Sequence, residues 1–164
     1  MDYSQFLVMH QEIGLLVLIL LVFLYDTFSN TTATKGVSYL TVCGFAVVTL
    51  LGFVQPWFGE TTSAFGGMYA TSPVMGSIKN ILNIGVLIVL IQAMQWADGE
   101  YMRIRRGEFY ELLLITLLGM YFMISARHFL LFIIGLETAS LPLAALVALS
   151  LIHISEPTRH LRIS

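Results

Sequence analysis

The stretch FLLFIIGLETASLPLAALVALSL, residues 129–151, decides the fold: it carries one charged side chain, Glu137, and no Asn, Gln, Lys or Arg. A helix of that length rises about 34 Å, enough to cross a hydrocarbon core of about 30 Å, and inside such a core a helix satisfies every backbone N–H and C=O within its own segment. Four further segments share this character, at residues 13–28, 39–54, 78–96 and 109–126. The chain is therefore expected to be an all-α polytopic membrane protein with five transmembrane helices. Its composition agrees, because 57% of the 164 residues are apolar and 11% are charged, whereas soluble domains hold about a quarter charged residues. The charges gather in clusters and leave residues 36–59, 61–78 and 80–97 free of them.

The first span is as short as the apolar part of a secretion signal. No Lys or Arg precedes Lys35, however, and no small-x-small cleavage site follows, so a retained span is expected. Residues 1–150 then form one membrane domain and residues 151–164 a tail. Lys and Arg on alternate loops set the orientation. One side carries Lys79 and Arg127; the other carries Lys35, Arg103, Arg105 and Arg106, joined in the tail by Arg159 and Arg162. Four against two before the tail places the loop at residues 98–108 in the cytoplasm and the N-terminus outside. Trp57, Trp96 and Tyr101 fall near span ends, where interfacial aromatics belong. The outer loop FGGMY, residues 65–69, pairs glycines between aromatics and precedes Pro73, the pattern of a tight turn.

A net charge of −2 offers no basic surface for nucleic acid. Cys43, the single cysteine, excludes an internal disulfide framework and is assigned to packing and lipid contact. No Walker A loop, G-x-G-x-x-G, C-x-x-C or H-E-x-x-H is present, so nucleotide, iron–sulfur and zinc chemistry have no local signature. No cofactor or metal is expected in this chain.

Glu137 demands an explanation. It lies about 12 Å inside the fifth span, where a carboxyl costs about 2.5–3.5 kcal/mol even on lenient insertion scales. It is expected to face a bundle interior or water and to relay protons; the alternative is a neutral acid that bonds helices together. Pro142, five residues on, has no N–H to give the Thr138 carbonyl. A bend there would leave a carbonyl beside the acid, with the Thr138 and Ser140 hydroxyls close by; a kink that serves packing alone is the competing reading. Asn80 and Asn83 share a face of the third span and suit interhelical hydrogen bonds, while Lys79 beside them is expected to snorkel to the interface or to take a secondary role. Arg127 and His128 fit interfacial anchors or a proton exit. Glu108 and Glu111 fit a surface ion-pair cluster or a proton antenna.

The residues GEFYELL at 107–113, LGM at 118–120, SA at 125–126 and LETASLPL at 136–143 resemble the fourth and fifth helices of the subunit N family of bacterial NADH-quinone oxidoreductase, respiratory complex I. The FGGMY loop resembles that family's outer loop. The arrangement extends over residues 1–148 and is specific from 107 to 143. The resemblance implies an antiporter-like inverted-repeat fold and a Glu137 that pairs with a lysine on a later helix during proton translocation. It further implies partners among the other membrane subunits, a multi-pass place in the bacterial inner membrane, and NADH and quinone handled elsewhere in the complex. The only lysines are Lys35 and Lys79, so the resemblance implies an N-terminal fragment, inactive alone. Multisubunit cation–proton antiporters share the buried Glu and are the alternative family; a non-transporting structural subunit is the third reading. LIHISEPTRHLRIS, residues 151–164, continues no helix of the family and resembles a translated sequencing-adapter tail. It is expected to be foreign sequence without function, the alternative being a short basic cytoplasmic end.

Overall fold

A computed structural model describes residues 4–29, 35–54, 61–97 and 105–155. Among these are six α-helices: a one-turn α1 (Ser4–Leu7), then α2 (His10–Phe28), α3 (Gly36–Val54), α4 (Pro73–Ala97), α5 (Arg106–Ser125) and α6 (Phe129–Ser155). Helices α2 to α6 are each long and apolar enough to cross a membrane, as the hydropathy pattern requires. Between α3 and α4 stands a two-stranded antiparallel hairpin, β1 (Thr62–Ala64) and β2 (Tyr69–Thr71), which the sequence shows only as a turn. Its reversal needs positive φ at Phe65, Gly66 and Gly67, a conformation glycine adopts without steric cost.

Four spans start earlier than expected and the last ends later. Glu12, one residue before the expected start of the first span, lies inside α2, where it is paired as described below. Pro73 opens α4 five residues before Ile78; proline suits a first helical turn, where its missing N–H would have no helical acceptor. Helix α6 runs through Pro142 and past residue 151 to Ser155, so the membrane helix and the expected tail overlap. Residues 156–164, Trp57, Tyr101, Arg103 and most of the loop at 98–108 lie outside the described residues.

Helices α2, α3, α4 and α5 surround a core of Leu15, Leu18, Val22, Phe45, Leu90, Leu114 and Leu117, with Tyr110 and Tyr121 reaching into it. Helix α6 packs chiefly on α5, where Gly119 and Gly135 let the backbones close together. Its other sides are open: Leu130, Ile134, Leu141 and Val147 are all exposed. Cys43 is exposed on α3, in keeping with lipid contact.

Candidate functional site

The polar side chains fall into two places. One is the open face of α6, which carries Glu137 and Ser140. Glu137 was expected to face a bundle interior or water, yet α6 turns it away from α5, the helix it packs on. The reason is rotational: Gly135 and Ala139 are buried against α5, and Glu137 between them is rotated some 200° from either at about 100° per residue. Thr138 is half-buried and its hydroxyl donates to the Ile134 carbonyl at 2.7 Å, one turn back. The Ser140 hydroxyl reaches the Glu137 carbonyl at 3.5 Å. Pro142, half-buried, leaves the Thr138 carbonyl without its helical N–H.

The second place is a buried cluster between α2, α4, α5 and the hairpin. Lys79 is 1% exposed and its Nζ lies 2.5 Å from Oε1 of Glu12, itself 3% exposed. This corrects the snorkelling expectation: the ammonium turns inward because a carboxylate waits there, and a buried charge is tolerated when paired. The Tyr69 hydroxyl donates to the same Oε1 at 2.9 Å, and Lys79 stands 3.4 Å from that hydroxyl. Lys79 also lies 5.6 and 5.4 Å from the ring centres of Tyr69 and Tyr121, within cation–π range. Burial, reinforced by the Glu12 charge, pushes the Tyr69 phenol above its ordinary range, so it stays a donor.

Around this core the amides act as expected. Asn83 accepts from the Tyr121 hydroxyl, and Asn80 donates to the Gly52 carbonyl at 3.1 Å while accepting from Gln11 at 3.5 Å. They tie α2, α3, α4 and α5 together. Sequence reasoning missed Glu12 and Tyr69, taking the first as a span edge and the second as part of a turn. The available signal was opposite charge at matching depth, since Glu12 and Lys79 both sit shortly inside helix starts on one side.

Arg127 and His128 are exposed in the turn before α6. The His128 Nδ1 accepts from the Leu130 N–H at 3.2 Å, satisfying a first-turn donor that has no helical acceptor. At the opposite end Glu108 is exposed and Glu111 half-buried, within electrostatic reach of Asp26. Among the described residues no group of His, Cys, Asp and Glu is arranged to hold a metal ion.

No family model matches the chain. Curated relatives do. Over 148 residues, 90% of the chain, it is 47% identical to NADH-quinone oxidoreductase subunit N of Azobacteroides pseudotrichonymphae genomovar. CFP2. Over the same length it is 44% identical to the subunit N of Phocaeicola vulgatus, and over 140 residues 36% identical to that of Laribacter hongkongensis. The matches cover 31%, 30% and 28% of those proteins, so the chain spans about a third of the length of the curated relatives it matches.

Proposed function

We propose, on the premise that this chain is homologous to part of NADH-quinone oxidoreductase subunit N, that it belongs to a proton-translocating membrane subunit of that enzyme. Glu137 is the group that carries the proton or relays the charge. NADH oxidation and quinone reduction take place in other subunits, which are its partners together with the lipid bilayer. The protein lies in the bacterial inner membrane with its N-terminus outside.

One observation carries this reading: an ionisable carboxyl about 12 Å inside a membrane helix stands on a face that the described helices leave open. A carboxyl facing lipid permanently would be costly, and about two thirds of the length of its relatives lies beyond the matched part. Further helices bringing a cation to that face would make Glu137 one half of a charge pair. A carboxyl alternately paired and protonated can pass protons, because the partner favours the ionised form and desolvation the neutral one.

Glu137→Gln in the full-length protein tests the proposal, since it keeps shape and hydrogen bonding but removes the titrating charge. Proton pumping by the assembled complex should fall at least ten-fold with assembly unchanged. Wild-type pumping with Gln would leave Glu137 as a helix-bonding group only.

A further inference from the structure

The buried cluster beneath the hairpin does more than pair two charges. Lys79 Nζ and the Tyr69 hydroxyl both donate to one oxygen of Glu12, Oε1, at 2.5 and 2.9 Å. The other oxygen, Oε2, is buried and has no hydrogen-bond partner among the described residues. A carboxylate offers about four acceptor positions, and an oxygen buried without a partner loses its hydration with nothing in return. A carboxylate that served only to neutralise Lys79 would be better held through both oxygens.

A second oxygen behaves in the same way. Ser125, the last residue of α5, is 0% exposed. Thr41, Thr49 and Thr116, buried in the same bundle, turn their hydroxyls to the carbonyl four residues back. Ser125 does not. Its Oγ makes no hydrogen bond of ordinary geometry among the described residues, although it adjoins the Tyr69 hydroxyl. Two under-used buried oxygens, on α2 and α5, therefore flank one phenol. Buried waters settle where about three polar groups converge, and Glu12 Oε2, Ser125 Oγ and the Tyr69 hydroxyl supply that number.

We propose that Glu12, Tyr69 and Ser125 bind an internal water, and that through it the buried Glu12–Lys79 pair exchanges protons with the aqueous phase on the side where α2 begins. Oε1 is occupied by two donors, so an arriving proton binds at Oε2. The protonated water gives up one proton and stays as water, the carboxylate becomes the acid, and the charge of the cluster rises by one. The Lys79 ammonium then keeps the Tyr69 and Tyr121 rings, whose centres lie 5.6 and 5.4 Å away and whose faces attract a cation. Besides Lys79, the titratable groups that feel the Glu12 charge are His10, Tyr69 and Tyr121. His10, half-buried at the first position of α2, is the one nearest the helix end. The site is separate from Glu137, which α6 turns away from α5.

The experiment uses the full-length protein in its assembled complex, in liposomes, and asks first about the water. X-ray pulses make hydroxyl radicals from water wherever it sits, so a buried ring beside a bound water is oxidised and a dry one is spared. Tyr69, 1% exposed, should be oxidised several-fold more than Phe45, 0% exposed in the apolar core. Ser125→Val, whose methyl groups take the water's place, should bring Tyr69 down to the Phe45 level. Wild-type Tyr69 oxidised no more than Phe45, or oxidation that survives Ser125→Val, overturns the site. Infrared spectra recorded on acidification then ask about the proton. An acid C=O band should appear, shift in D2O within the mixing time, and be missing from Glu12→Gln. Glu12→Asp should retain a band at altered frequency, so the test does not rest on one variant. Wild-type spectra identical to those of Glu12→Gln overturn the exchange and make Glu12 a permanently ionised partner of Lys79. Neither readout passes through Glu137, so the outcome is independent of its reading as a relay group.

Discussion

Gly119 and Gly135 face each other where α5 and α6 cross, so closely that a Cβ on Gly135 would lie 2.9 Å from the Gly119 carbonyl oxygen and 2.8 Å from the Met123 nitrogen. Small residues at such a crossing let two backbones approach until dispersion forces hold them, the main attraction available between helices in lipid.

Replacing Gly135 by Leu should therefore force the helices apart. Both close atoms belong to backbone, which cannot rotate aside, so the cost should be about 1–3 kcal/mol. Thermal unfolding of the purified protein in detergent would show it as a lowered midpoint, with Gly135→Ala intermediate. A Leu variant as stable as wild type would mean that the crossing is looser than described.

The Glu12–Lys79 pair gives a prediction with two signs. Glu12→Gln or Lys79→Met alone leaves one buried charge without its counter-charge and should cost about 3–5 kcal/mol. Glu12→Gln combined with Lys79→Met removes both charges and should recover most of that loss. The comparison is best made by unfolding in mixed micelles. A double variant as unstable as the sum of the two singles would show that the charges are not coupled.

Orientation is predicted from the positive residues alone: fusions at residues 98–108 should report the cytoplasm and a fusion at Ser72 the outside. A cytoplasmic signal at Ser72 would reverse the assignment.

Residues 1–164 alone should neither conduct protons nor oxidise NADH. The lysines are Lys35 and Lys79. Lys79 is committed to Glu12, and Lys35 lies in the turn just before α3, at the opposite end of the bundle from the start of α6. Reconstitution in liposomes with a pH-sensitive dye and an imposed potential checks this. Uncoupler-sensitive flux abolished by Glu137→Gln would show that these residues conduct protons by themselves.

Much of this architecture can be read along the chain. The count of five spans, their places, and Glu137 as the exceptional acid follow from residues 13–28, 39–54, 78–96, 109–126 and 129–151, because insertion depends on a sum of transfer energies within each segment and on a fixed bilayer thickness. Whether Lys79 snorkels or turns inward is not such a sum. Its partner is 67 residues away, and only the packing of α2 and α4 on the shared helices α3 and α5 brings the carboxylate to it. The face that Glu137 occupies was equally hidden, since a helix apolar on all sides has no periodic pattern to say which side is inward. The pair Gly119 and Gly135 supplies that information, by letting α5 and α6 close on one line and turning the carboxyl away from it. Hydrophobicity along the chain determined what enters the membrane; steric fit and charge pairing between distant residues decided what each helix faces once there.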